Sequence, residues 1–181
     1  MGTTTHMMTA QELLELQDDG HRHELIKGEL LTMSPSGAKH GAVVVNVTVL
    51  LATYINKHKL GVAFGAETGF KLEHDPDTVL APDFGFISKD RIGSLSTGYL
   101  EIVPDLVVEV ISTTKSRHKV EAKTAQWISF GVRSVWRVNC HNRSVEIISA
   151  DGSRKLFTAT DELMDDDVFP GLRVLVSQIF A

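Results

Sequence analysis

Two carboxylates and one lysine, on separate stretches of chain, have the types and spacing to do chemistry. Asp83 follows Pro82 at the head of an apolar run, Phe84 to Ile87. Glu109 sits inside another, Leu106-Val107-Val108-Glu109-Val110-Ile111. That second run is apolar and β-branched, so it should be a strand buried on both faces. An ionised carboxylate there is costly unless it is paired or binds a cation. Two such acids on neighbouring strands repel each other, and a hard divalent cation between them relieves the repulsion. Mg2+ suits the pair, because it keeps several waters and takes phosphate oxygens beside one or two carboxylates. Lys123 is the third candidate. With Val120, Trp127 and Ile128 turned toward the sheet, Lys123 lies on the same side of its helix. Its ammonium could orient an attacking water or stabilise charge on a phosphate. The plain alternative is a structural ion pair between Lys123 and Glu109.

Three elements must position these groups. A strand over Val79 to Ile87 carries Asp83, and a central strand over Asp105 to Ile111 carries Glu109. A helix from about His118 to Phe130, stopped by Gly131, carries Lys123. Upstream, Thr9-Ala10-Gln11-Glu12 has the form of a capping box and predicts a short helix from Ala10 to Asp18. His23 to Ile26 and Glu29 to Met33 flank Lys27-Gly28, which predicts an N-terminal β-hairpin. Ala38 to Lys59 is apolar on more than one face and should be the most buried helix. Gly61 to Leu72 reads as one strand, bent at Gly65 or Gly69. Ser134 to Val138, Ser144 to Ile148 and Phe157 to Ala159 read as strands, and Leu172 to Phe180 as a short strand or helix. The run Asp165-Asp166-Asp167 reads as a solvated loop. This order predicts an α/β (α+β) fold, with a single mixed β-sheet flanked by helices.

A chain of 181 residues with 43% hydrophobic and 23% charged residues is expected to form one domain, residues 9 to 181, behind a disordered leader of residues 1 to 8. The formal charge of −5 argues against coating nucleic acid by bulk electrostatics but allows a local basic groove. The one cysteine, Cys140, fits a reducing cytoplasm. The start of the chain lacks the apolar core of a signal peptide. No run approaches about 20 apolar residues free of polar ones, so no membrane span is expected. The segment Lys115-Ser116-Arg117-His118-Lys119 suits phosphate contacts through Lys115, Arg117 and Lys119, or is simply a solvated helix start. Trp127 and Trp136 read as core.

These residues together resemble a known family. Pro82-Asp83, a strand with Glu109 and a following Lys resemble the PD-(D/E)XK nuclease superfamily. The wider text resembles the Uma2 family of restriction-endonuclease-like proteins of bacteria. It comprises His23-Glu24-Leu25-Ile26-Lys27-Gly28-Glu29-Leu30, Met33-Ser34-Pro35, His40, Pro104-Asp105-Leu106-Val107-Val108-Glu109-Val110-Ile111-Ser112, Lys123, Gly131-Val132, Val135-Trp136 and Pro170-Gly171-Leu172. The resemblance spans nearly all of residues 9 to 181 and implies a restriction-endonuclease-like core with an N-terminal hairpin. It implies that Asp83 and Glu109 bind Mg2+ (or Mn2+) and that Lys123 assists the attacking water. The simplest motif puts its Lys two residues after the second acid, where this chain has Ile111; Lys123 on the next helix fills the role in Uma2-like sequences. Where the family often carries an Asp, four residues before that Lys, this chain has Lys119, which makes the pocket more basic. Glu24, before the hairpin turn, could add a metal ligand through water. His40, opening the long helix, could contact phosphate or act as an acid.

The resulting expectation is a Mg2+-dependent endonuclease that hydrolyses DNA phosphodiester bonds, cytoplasmic and, like many of this superfamily, a homodimer. The alternative is a catalytically inactive module of the same fold that binds nucleic acid or protein.

Overall fold

The computed structural model describes residues 6–17, 19–95, 97–111 and 117–181. In chain order its elements are α1 (Ala10–Leu14), β1 (Arg22–Ile26), β2 (Glu29–Met33), α2 (Ala38–His58), β3 (Gly61–Phe64), β4 (Phe70–Glu73), β5 (Thr78–Leu80) and β6 (Phe84–Ser88). There follow β7 (Leu106–Ile111), α3 (Arg117–Ser129), β8 (Ser134–Asn139), β9 (Ser144–Ser149), β10 (Arg154–Phe157), β11 (Glu162–Leu163), β12 (Val174–Leu175) and α4 (Val176–Ile179). They form two compact units. The smaller comprises Met1–Pro35, Glu67–Ala81 and Gly93–Ile102; the larger comprises Ser36–Ala66, Pro82–Ile92 and Val103–Ala181.

The smaller unit holds an antiparallel four-stranded sheet in the order β2-β1-β5-β4. Lys27 and Gly28 both take left-handed backbone conformations, φ 49° and 78°, which matches the twist a two-residue hairpin turn needs. The capping box forms as expected: the Thr9 hydroxyl accepts the Glu12 N–H, and the Glu12 carboxylate accepts the Thr9 N–H. The helix after it ends at Leu14, short of Asp18, which itself lies outside the described residues. Within α1 only Ala10 and Leu13 are buried, against Leu25 and Val79; Leu14 and Leu16 are exposed, so a longer helix would gain no further burial. Met8, in the expected leader, donates its N–H to the Gly28 carbonyl; residues 1–5 of that leader lie outside the described residues.

The larger unit is built on a mixed six-stranded sheet, β10-β9-β8-β7-β6-β3. Among the described residues of this sheet, β7 and β8 make the parallel pair, and α3 supplies the crossover between them. Leu106, Val108 and Val110 project from one face of β7 into the core, where they meet Val43, Val47, Leu51 and Ile55 of α2. By alternation, Val107, Glu109 and Ile111 project from the opposite face. There α3 lies, with Trp127 bonded to Glu109. This is the large mixed sheet flanked by helices that the residue pattern predicts. The hairpin belongs to the separate four-stranded sheet, and β11 and β12 pair as a third.

Two expected strands are each divided. The stretch from Gly61 splits into β3, paired with β6, and β4, paired with β5. Gly69 marks the second piece: a Cβ there would collide with the Tyr99 ring. The stretch from Val79 splits into β5 and β6 around Ala81-Pro82-Asp83, because Pro82 offers no N–H and Asp83 turns a side-chain oxygen into the ladder. The strand expected over Phe157 to Ala159 lies earlier, as β10. The C-terminal segment is both a strand and a helix.

Helix α2 departs from expectation in two ways. It is long and apolar enough to cross a membrane by length and composition, although polar residues such as Asn46, Thr48 and Thr53 interrupt its apolar run. It is also not buried all round. One stripe packs in the core, while Val45 and Val49 are 59% and 60% exposed. The asymmetry follows from a helix that lies along one side of a sheet.

Across the α3 side of the sheet runs a row of charge. Register places Glu109 opposite Arg137, and Arg137 opposite Glu146. Arg137 forms ion pairs with Glu146 and, at 2.8 Å, with Glu121 of α3; Arg154 of β10 also donates to Glu121. Hydrogen bonds from Arg154 and Arg137 hold the Glu121 carboxyl down at about 2, against an ordinary 4.5. Its folded value lies below its unfolded one, so its stabilisation is complete above pH 4.5 and is lost as pH falls toward 2. In urea titrations over that window, Glu121→Gln should flatten the loss of stability. An acid limb identical to that of the parent chain would refute the assignment.

Candidate active site

Glu109 is presented by β7 because a strand this apolar is held at the centre of the sheet, and the period of two turns every second residue toward α3. Its side chain is 15% exposed. Two donors from α3, one helical turn apart, converge on the same oxygen: Lys123 Nζ lies 2.9 Å from Glu109 Oε1, and Trp127 Nε1–H donates to Oε1 at 2.9 Å. Trp127 is fully buried, and the Lys123 side chain is 25% exposed.

Asp83 reaches the same level of the sheet from the start of β6. Phe84 pairs with Val108, and Asp83 is the residue just before that pair. Two hydrogen bonds bracket that position: Asp83 N–H donates to the Val108 carbonyl at 3.1 Å, and Val110 N–H donates to Asp83 Oδ2 at 2.7 Å. The carboxylate thus stands where a ladder carbonyl would, next to the break made by Pro82. Its other oxygen, Oδ1, lies 3.3 Å from His40 Nε2. Asp83 and His40 are both buried, with 4% and 8% exposure. His40 is brought there by the first turn of α2.

The structure therefore gathers Asp83 with His40, and Glu109 with Lys123, on adjoining strands of one unit. Glu24 belongs to the smaller unit. It is buried rather than a surface hairpin charge, and its Oε1 accepts the Ala81 N–H at 2.9 Å. Among the proposed phosphate contacts, Lys119 is exposed on α3. Lys115 lies outside the described residues, as does the Arg117 side chain.

Among the described residues, no group of three or more His, Cys, Asp and Glu side chains could hold an ion. That does not suit Zn2+, which wants three or four nitrogen or sulfur ligands. Two hard-oxygen carboxylates, Asp83 buried and Glu109 15% exposed, fit Mg2+ or Mn2+, which fill their remaining positions with water and phosphate oxygens.

Comparisons with known proteins bear on this geometry. The Uma2 family model, described as "Putative restriction endonuclease", matches residues 10–177. The chain belongs to the Uma2 family. Among solved structures, it is similar to one described as "a putative nuclease belonging to DUF820 from Anabaena variabilis ATCC 29413". The two are 18% identical, the TM-score is 0.80, and the match covers 96% of this chain and 97% of the other. That likeness is one of fold, and the fold of this Uma2 chain is restriction-endonuclease-like. No curated protein matches it.

Trp127 is the residue that reading by type overlooks, since a tryptophan at helical spacing from Val120 and Lys123 reads as core. It is core, and its one polar atom is turned to Glu109. The available signal was that a buried indole N–H needs an acceptor, and Glu109 is the acid on the strand its helix must cover.

Proposed function

We propose that this Uma2 protein is a Mg2+- or Mn2+-dependent endonuclease that hydrolyses DNA phosphodiester bonds, working in the cytoplasm as a homodimer so that both strands of a duplex are cut. One observation supports the reading most: Lys123 Nζ lies 2.9 Å from Glu109 Oε1 on β7, the strand whose Val110 N–H donates to Asp83. Family membership and the nuclease-like fold support it. Asp83 and Glu109 would hold the cation. When bound, it polarises the phosphate and lowers the pKa of a coordinated water. Val110 N–H and His40 fix the Asp83 carboxylate from two sides, so little reorganisation is needed when substrate arrives. Lys123, anchored at Glu109 yet partly exposed, can turn its ammonium toward the attacking water or toward charge developing on the phosphate. Lys119, exposed one turn before Lys123, adds positive charge for backbone phosphates.

The test is cleavage of supercoiled plasmid with Mg2+ or Mn2+, with a chelator control and a structured RNA run beside the DNA. Nicked or linear product that requires the metal is expected. If neither nucleic acid is cut with either metal, the enzyme reading fails, and the same fold serves as a binding module. Cleavage of RNA alone would move the substrate class.

A further inference from the structure

We propose that Trp127 is a positioning residue: with Lys123, its indole N–H fixes the orientation of the Glu109 carboxylate that would hold the divalent cation. This rests on the metal-dependent reading above and adds a residue that the family motif does not include.

The two donors converge on Oε1, each at 2.9 Å. A carboxylate gripped at one oxygen by two groups from the same helix face cannot rotate without breaking both contacts. The donors are unlike in stiffness. Lys123 is 25% exposed on a long flexible stem, whereas Trp127 has two side-chain torsions and no exposure. Trp127 is therefore the permanent clamp. It lets Lys123 swing toward water or phosphate without releasing Glu109. The next cation in the row, Arg137 directly across from Glu109, is occupied by Glu121 and Glu146. A metal ligand held by a second group in this way typically owes it about 10- to 100-fold in metal affinity.

The chain contains an internal control. It has two tryptophans, and both indoles donate to carboxylates: Trp127 to Glu109, and Trp136 to Asp165 at 2.8 Å. Trp136 belongs to the core that α2 covers. In 1H–15N spectra of the full chain, titrating Mg2+ should move the Trp127 indole resonance and leave that of Trp136 in place. Trp127→Phe should weaken Mg2+ and Mn2+ binding, measured by calorimetry, about tenfold or more, and Trp136→Phe should not. Should Trp127→Phe fold poorly, benzothienylalanine at position 127 keeps the ring volume and removes only the N–H, with the same expected loss. The proposal is overturned alone if Mg2+ binds the parent chain, binding is lost in Asp83→Asn, and yet the Trp127 resonance stays fixed or the N–H-less variant binds within twofold of the parent. If the parent chain binds neither metal, this proposal and the metal-dependent reading fall together.

Discussion

Glu109→Gln should reduce metal-dependent DNA cleavage by on the order of 10³-fold or more, the range that loss of a preorganised charge costs at a reaction centre, while the thermal transition moves by only a few degrees. The distinction between Gln and Ala is what makes the experiment decisive. Glu109 Oε1 accepts the Trp127 indole N–H and faces the Lys123 ammonium. Glutamine keeps an acceptor for the indole and removes the negative charge, so it separates catalysis from folding. Alanine also removes the acceptor for a buried donor, which costs about 1–3 kcal/mol in addition. Lys123→Ala should lose cleavage as well but retain metal binding, because the ammonium is not a ligand. Parallel measurements of plasmid nicking, Mn2+ affinity and thermal melting separate these cases. A Glu109→Gln protein that cuts within tenfold of the parent would end the proposal that this carboxylate holds the cation.

The second large effect is on stability and lies away from the candidate site. Asp165→Ala should destabilise the protein by about 3–5 kcal/mol, since it strands two buried donors at about 1–3 kcal/mol each and opens a small void. For a chain of this size that is a fall in melting temperature of about 10 °C. Asp165 opens an acidic run that reads as a solvated loop, but the structure buries it to 7% exposure. Its Oδ2 accepts the Ser134 hydroxyl at 2.6 Å and the Trp136 indole at 2.8 Å. Its carbonyl also receives the Phe169 N–H, which turns the chain into the segment carrying Val168 and Phe169. Asp166, next to it, pairs with Arg173 at the surface, and surface pairs of that kind contribute roughly 0–1 kcal/mol. Asp166→Ala should therefore be nearly silent by urea denaturation, in contrast to its neighbour. Equal losses for the two substitutions would mean that Asp165 is not the anchor of this corner.

The contrast between Asp165 and Asp166 shows where a linear reading stops. Neighbouring residues of one type differ only in what the distant chain brings to them. The partner of Asp165 is 31 positions away at Ser134, and that of Glu109 is 18 positions away at Trp127.

By itself, the order of residues determined what depends on neighbours within a few positions. Thr9 and Glu12 specify a helix start, Lys27-Gly28 a tight hairpin, Gly131 a helix stop, and the alternation along Leu106–Ile111 a central strand with one acid facing away from the core. These are settled by backbone sterics and short-range hydrogen bonds, which spacing encodes directly. Only the tertiary structure decided that the stretches from Gly61 and from Val79 each break between two sheets, that His40 comes to Asp83, and that a core tryptophan turns its N–H to Glu109. A strand's partner, and the acceptor of a buried donor, are chosen by which surfaces pack together, and that choice is made across long separations where spacing carries no signal.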